Sequence, residues 1–198
     1  MTTRSLARQF ENPVHDAQLA FRQLLTALSR PGTAPMLRQP TGSPHPLNGT
    51  MTAIALTLVD GDCPLWLSRS IATDDVRDYL HLHTNALLTA EPETASLAFV
   101  GDAADLPPLS RFNPGEAASP DKATTVIIRL PLLSGGRAIT LSGPGIETTA
   151  TIAPAGLPDW FWPEWKMNAA RYPLGVDVFL TDDAQVIGLP RSTKAEWR

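Results

Sequence analysis

The spacing of apolar residues along the chain predicts helices alternating with strands. Between residues 15 and 29, apolar side chains recur every three or four positions, which places them on one face of an amphipathic helix. Arg30-Pro31-Gly32 ends the pattern, because proline and glycine do not continue a helix. The opposite face carries Asp16 and is predicted to be a solvated or partner-facing surface. The predicted buried face consists of Ala17, Phe21, Leu24, Leu25 and Leu28.

The next segments continue the alternation. An extended connection over residues 35–48 precedes a second helix that begins near Met51, with Thr50 as its cap, and ends at Asp60-Gly61-Asp62. A strand over residues 64–68, a helix over 73–84, a strand over 96–100 and a loop over 101–120 follow. This order predicts a single layered α/β domain over residues 1–198, with a mixed sheet, flanking helices and an N-terminal tail of about residues 1–12.

Residues 124–147 form the most strand-like part of the sequence. Two β-rich runs, residues 125–130 and 138–141, flank Ser134-Gly135-Gly136-Arg137, and this predicts a hairpin of two central strands. The glycines permit the positive φ of a tight turn and leave backbone amides uncovered beside Arg137, a setting that can receive an anion. The alternative is a hairpin without a ligand, since no Gly-Lys-Ser/Thr of a phosphate loop follows.

A cluster of aromatic residues precedes a predicted helix that extends to Arg171. The chain is 7% aromatic, yet four aromatic residues fall within six positions: Trp160, Phe161, Trp162 and Trp165. Such a cluster stacks a nucleobase, fills a core or anchors a protein interface. We favour the interface, because tryptophan is enriched at interfaces and Lys166 is the only basic residue close by. Beyond it, residues 176–181 and 186–190 predict a second hairpin.

Composition excludes several classes of protein. A net charge of −4 with dispersed basic residues gives no footprint for nucleic acid or for an anionic membrane. Cys63 is the only cysteine and only four histidines are present, so we expect no disulfide and no metal site, and His81 and His83 diverge if their segment is helical. No segment has the ~18 apolar residues that a membrane span requires. We therefore expect a cytoplasmic protein.

Seven stretches, in order over nearly the whole chain, resemble the H-subunit family of the bacterial carbon-phosphorus lyase system, PhnH. The chain departs from the family pattern at His81, Leu82, Leu87 and Ser192. The stretches are HDAQLAFRQLLTALSRPG (15–32), ALTLVDGDCPLWL (55–67), LHLHTNA (80–86), SPDKATTVI (119–127), LSGPGI (141–146), YPLGVDVFLT (172–181) and LPRST (189–193).

The resemblance implies a fold like the large domain of type I pyridoxal-phosphate (PLP) transferases, but without PLP. Consistent with this, none of the three lysines has the setting of a Schiff-base lysine. The resemblance also implies a cytosolic homodimer that joins the G, I and J subunits of the lyase. The implied task is the step in which the G, H and L subunits, with I, displace adenine from ATP by an alkylphosphonate, giving ribose 1-phosphonate 5-triphosphate.

Such chemistry requires donors for phosphoryl oxygens and stabilisation of an oxocarbenium-like ribose. We therefore expect Arg137 and Arg191, with amides around Gly143 and Gly145, to hold phosphoryl groups, and Asp177 to supply a nearby carboxylate. Each of these residues also has a purely structural interpretation, and no catalytic triad is evident. Three functions remain open: a subunit that completes the transferase, an autonomous small-molecule enzyme on a degenerate aminotransferase-like fold, and a scaffold without a ligand.

Overall fold

The computed structural model describes residues 9–197, so most of the predicted N-terminal tail lies outside the described residues. Predicted helices are confirmed with small shifts at their ends. The N-cap of the second helix is Asn48, whose side chain accepts the Met51 N–H at 2.9 Å, and the prediction of Thr50 as cap is wrong. Within the described residues the helices are α1 (Pro13–Ser29), α2 (Gly49–Leu58), α3 (Asp74–Thr84) and α4 (Phe161–Ala170).

The strands of the described residues form two sheets. The strands are β1 (Pro64–Leu67), β2 (Leu87–Leu88), β3 (Leu97–Val100), β4 (Thr125–Arg129), β5 (Ile139–Ser142), β6 (Ala150–Ile152), β7 (Asp177–Thr181), β8 (Val186–Leu189) and β9 (Lys194–Glu196). Five parallel strands and one antiparallel edge strand make the central sheet, in the order β2-β1-β3-β4-β7-β8, and the small antiparallel sheet has the order β6-β5-β9. This confirms a layered α/β fold with a mixed sheet.

The prediction that β4 and β5 form a hairpin is wrong. β4 lies between β3 and β7, parallel to both, whereas β5 belongs to the small sheet. The burial of the two strands gives the reason. Residues 126–128 are buried on both faces, as is typical of a central parallel strand, and β5 alternates buried Ile139 and Leu141 with exposed Thr140. Pro131, which has no N–H to donate, lies two residues after the end of β4.

The second predicted hairpin is confirmed. β7 and β8 pair in antiparallel register, with Val178 opposite Leu189 and Thr181 opposite Val186. In the connecting turn, Asp182 Oδ1 accepts the N–H groups of Ala184 and Gln185 at 2.9 and 2.8 Å. An aspartate that bonds to nearby amides is the local signal that makes such a turn predictable from sequence.

The central sheet separates two hydrophobic cores. Ile127 of β4 faces the first core, which contains residues of α1, α2 and α3, together with Phe99 and Phe179 from the neighbouring strands. Val126 and Ile128 face the second core, which lies between the sheet, α4 and the small sheet. Alternate side chains of β4 therefore hold the three layers together.

Helix α1 is rotated relative to the predicted buried face. Phe21 and Leu25 are 45% and 49% exposed, while Ala20, Leu24 and Ala27 are buried. Small residues of α1 face the sheet because the backbones of α1 and β8 come close together there. A Cβ added to Gly188 of β8 would lie 2.6 Å from the backbone of Ala27. Close approach therefore selects alanines for the contact and leaves the larger apolar side chains of α1 outside.

The prediction that Asp16 faces solvent or a partner is also wrong. Its side chain is buried, and it accepts the Asn12 N–H at 3.0 Å and the Arg38 Nε–H at 3.1 Å. The Asn12 amide first, and then the Arg38 guanidinium, hold the pKa of the Asp16 carboxyl below its ordinary value. Asp16 thus ties the start of α1 to the extended connection that contains Arg38.

The two histidines of α3 have different environments. His81 is exposed, whereas the His83 ring lies against Tyr79, with ring centroids 4.3 Å apart, and its Nδ1 contacts the Gln9 side-chain amide. Burial lowers the pKa of His83 and raises the pKa of Tyr79 to about 12. Both side chains are therefore neutral at neutral pH. Asn85, with a φ of 55°, ends the helix and donates its N–H to the His81 carbonyl.

Candidate functional site

Arg191 bonds to two segments that precede it in the sequence, one at Pro120 and one over residues 173–177. Its Nη2 and Nε bind the Asp177 carboxylate at 2.5 and 3.1 Å, and its backbone N–H donates to Asp177 Oδ1 at 2.7 Å. The remaining guanidinium nitrogen, Nη1, donates to the carbonyls of Pro120 at 2.7 Å and Pro173 at 3.5 Å. We refer to Arg191, Asp177 and these two carbonyls as the Arg191 junction.

The β7–β8 hairpin brings the charged pair together. Asp177 is the first residue of β7, and Arg191 comes two residues after the end of β8, so both lie at the open end of the hairpin. Their side chains are only 21% and 13% exposed. A planar guanidinium matches a carboxylate with two parallel hydrogen bonds, and a charge removed from water requires such a partner.

Four stretches on which the family resemblance rests meet at the Arg191 junction. The segments 119–127, 172–181 and 189–193 are joined by the bonds of Arg191. The segment 141–146 approaches through Gly143, where an added Cβ would lie 3.0 Å from the Ser192 carbonyl oxygen. The sequence predicted these residues as candidates, but it did not predict that they contact one another.

The geometry of the junction favours positioning over direct ligand binding. All three guanidinium nitrogens of Arg191 already bond to groups of the chain, and both Asp177 oxygens accept its hydrogens. A phosphoryl group would have to displace one of these bonds to reach Arg191. The junction therefore fixes the loop that continues through Ser192 and Thr193 into β9.

The other predicted phosphate ligand, Arg137, lies away from the junction. It precedes β5, whereas Gly143 follows that strand, and the four residues of the strand span about 13 Å. The turn beside Arg137 is not open for an anion at Gly136, because the Gly136 N–H donates to the Ala153 carbonyl at 2.8 Å. An added Cβ on Gly136 would lie 2.2 Å from the Pro154 oxygen.

Gly143 and Gly145 belong to a turn that rests on the end of α1. The Ile146 N–H donates to the Gly143 carbonyl at 3.2 Å, and Gly145 has a φ of 82°, as the third position of a type II turn after proline requires. An added Cβ on Gly145 would lie 2.1 Å from the Ser29 oxygen. Close packing and turn geometry therefore account for both glycines.

The aromatic cluster is part of the second core. Phe161, Trp162 and Trp165 are buried, and Trp160 is half-buried. Trp165 Nε1 donates to the Thr193 carbonyl at 3.1 Å, which joins α4 to the loop after Arg191. The structure thus supports the core, one of the alternatives that the sequence left open, and corrects our preference for an exposed interface.

One polar site was missed at the sequence level. The chain order reverses between β1 and β3, and open α/β sheets bind ligands at the carboxyl ends of such strands. There the Ser70 N–H donates to Asp105 Oδ2 at 2.7 Å, and exposed Arg69 lies next to it. The sequence signal for this site is Ser68-Arg69-Ser70, which directly follows β1. Asp102 and Asp105 outnumber Arg69, which disfavours an anion at this edge.

Other kinds of site are not formed by the described residues. Residues 9–197 contain no group of three or more His, Cys, Asp or Glu side chains placed to hold a metal ion. Burial, followed by the neighbouring Asp60 carboxyl, raises the pKa of Cys63, which makes its thiol a poor nucleophile. None of the described helices is long and apolar enough to cross a bilayer.

Fold and site together define an α/β protein with a mostly parallel central sheet, in which a part-buried Arg–Asp pair positions the loops. Within this class the chain belongs to the bacterial phosphonate metabolism protein (PhnH) family, whose model matches residues 8–196. It is 37% identical over 187 residues to the alpha-D-ribose 1-methylphosphonate 5-triphosphate synthase subunit PhnH of Rhizobium meliloti, covering 94% of each chain. It is also 29% identical over 177 residues to the putative C-P lyase subunit protein HtxG of Stutzerimonas stutzeri, covering 89% of this chain and 84% of that protein.

Proposed function

We propose that this chain is a subunit of an assembly that converts ATP and an alkylphosphonate into ribose 1-alkylphosphonate 5-triphosphate and adenine. The observation that carries the proposal is the similarity to the Rhizobium meliloti synthase subunit, which extends over 94% of both chains. The family model, which matches residues 8–196, covers every segment of the Arg191 junction. We infer that the chain acts with the G, I, J and L subunits in the cytoplasm, and that the isolated chain is a homodimer.

We further propose that the chain functions without PLP. Its lysines, Lys122, Lys166 and Lys194, are all exposed and lie on a short helical turn, on α4 and on β9. None is at the carboxyl end of a central strand, which is the setting of a Schiff-base lysine. A likeness to the large domain of type I PLP transferases remains a proposal, supported by the mostly parallel sheet between helical layers.

The contribution of this chain to the synthase is best explained by loop positioning. The Arg191 junction fixes three loops, and Arg137, outside the junction, is the candidate with an exposed side chain that can face a phosphoryl group of the substrate. A scaffold function is the second candidate, and the commitment of every Arg191 guanidinium nitrogen to contacts within the chain favours it.

Adenine release from ATP and methylphosphonate is expected to depend on this chain when the G, I and L subunits are supplied. The expected result is a rate at least tenfold higher with the chain than without it, measured by chromatographic quantification of adenine. An equal rate without the chain would remove it from this step. A purified chain that binds ATP by calorimetry and releases adenine without other subunits would instead support the autonomous enzyme.

Arg137→Ala is expected to lower adenine release by the assembled subunits about 10- to 100-fold. A hydrogen bond to a charged group contributes about 1.5–3 kcal/mol, and this corresponds to that loss in rate if the bond strengthens in the transition state. Arg77→Ala is the matched control, because Arg77 is an exposed arginine on α3. A rate for Arg137→Ala within twofold of the wild-type rate would show that Arg137 does not stabilise the transition state.

A further inference from the structure

A shallow groove runs along one side of α4, outside the Arg191 junction. It is lined by residues of α4, by residues of the segment 109–114, and by Arg171 and Val176. Its volume is about 40 Å³, whereas pockets for small ligands usually measure roughly 300–1,000 Å³ and enclose most of the ligand. A nucleotide does not fit inside it. The groove is therefore too small to enclose a ligand of that kind.

Three side chains along the groove are, in order, acidic, apolar and basic. Glu164, Met167 and Arg171 are three and four residues apart, so they lie on one face of α4 and at its carboxyl end. The Leu109 N–H donates to Glu164 Oε2 at 2.6 Å, which fixes that carboxylate and leaves Oε1 available. Met167 is 61% exposed, and the exposed Arg171 side chain forms no ion pair with the residues the structure describes.

This arrangement is complementary to itself. If a second copy of α4 lies antiparallel across a two-fold axis at Met167, each Glu164 faces the Arg171 of the other copy, and the two Met167 side chains meet at the centre. A two-fold contact pairs one patch with the same patch on the partner, and here it pairs opposite charges around an apolar centre. Methionine and arginine are also enriched at protein interfaces.

We propose that this face of α4, defined by Glu164, Met167 and Arg171, is the two-fold interface of a homodimer. Tyr172, which is 64% exposed and directly follows Arg171, extends the patch. The inference rests on the proposed homodimer and adds the surface that forms it. It is independent of the proposed chemistry, which the adenine assay tests separately.

A residue on the axis gives a sharp test by cross-linking. Cys63 is the only cysteine, so Cys63→Ser provides a background without thiols. In that background Met167→Cys is expected to form a disulfide-linked dimer on oxidation with diamide, because the two thiols meet at the axis. Lys166→Cys is the matched control, since Lys166 is exposed on the same helix but points about 100° away. Cross-linking of Lys166→Cys but not of Met167→Cys would overturn the proposal.

Charge reversal tests the same interface without a covalent link. Arg171→Glu places two carboxylates opposite each other at each end of the contact, and we expect its dimer dissociation constant to rise at least tenfold in sedimentation equilibrium. Lys166→Glu makes the same change in charge away from the groove and is expected to leave the constant unchanged. Circular dichroism checks that the variants are folded.

The outcomes distinguish the proposed homodimer from the proposed α4 interface. A wild-type chain that is monomeric at all concentrations would overturn both the homodimer and this interface. A wild-type dimer that Arg171→Glu leaves intact, with no disulfide from Met167→Cys, would retain the homodimer and overturn the α4 interface. An α4 face that binds another subunit but never a second copy would also overturn the proposal.

Discussion

Asp177→Ala is expected to lower the free energy of unfolding by about 2–4 kcal/mol. The substitution leaves the Arg191 guanidinium, whose side chain is 13% exposed, without its counter-charge. Removing one partner costs about 3–5 kcal/mol in a fully buried pair and less here, because the pair is only part-buried. It also removes the acceptor for the Arg191 backbone N–H. Chemical denaturation followed by circular dichroism measures the change. Asp121→Ala is the control, because exposed Asp121 is adjacent to Pro120 of the junction and its loss is expected to change stability by less than about 0.5 kcal/mol.

Removing both charges together separates the cost of an unpaired charge from the contribution of the pair. Asp177→Ala with Arg191→Leu leaves neither charge at the junction, so the double variant is expected to be more stable than Asp177→Ala alone. Arg191→Leu still loses the bonds to the Pro120 and Pro173 carbonyls, and the double variant therefore stays below the wild type. Equal stability of Asp177→Ala and the wild type would show that the junction does not stabilise the fold.

Elements defined by local signals were predictable from the sequence. The β7–β8 hairpin follows from two apolar runs around an Asp-rich turn, and α3 follows from Thr73 and the acidic residues of its first turn. The pairing of Asp177 with Arg191 could also have been predicted, since the hairpin register places both residues at the open end of the hairpin. The sequence predicted Asp177 and Arg191 as separate ligands, although residues of opposite charge commonly pair across neighbouring strands.

Contacts between distant segments were not predictable in the same way. The pairing of β4 with β3 and β7 joins segments far apart in sequence, and the turn at Gly135 suggested a local partner instead. The exposure of Phe21 depends on the absence of a side chain at Gly188, which lies more than 160 residues further along the chain. Periodicity identifies the apolar face of a helix, but the partner surface decides which part of that face is buried.

Trp165→Ala is expected to lower the free energy of unfolding by about 3–5 kcal/mol, because it removes a fully buried indole from the second core. The effect extends beyond packing. The indole N–H bonds to the Thr193 carbonyl, so the substitution also releases the loop that leads from the Arg191 junction into β9. Hydrogen exchange is expected to show faster exchange in α4 and β9 than in α1, since α1 lies on the other side of the central sheet.

Two matched variants identify the source of this effect. Trp165→Phe keeps most of the apolar volume and removes the indole N–H, so the Thr193 carbonyl loses its bond and stability is expected to fall by about 1–2 kcal/mol. Trp160→Ala removes a half-buried indole of the same cluster and is expected to cost less than Trp165→Ala. Equal losses for Trp160→Ala and Trp165→Ala would contradict the assignment of Trp165 as the link between α4 and the Arg191 loop. A larger loss for Trp165→Ala, with exchange in β9 affected by Trp165→Phe as well, would establish that the core positions the junction through this hydrogen bond.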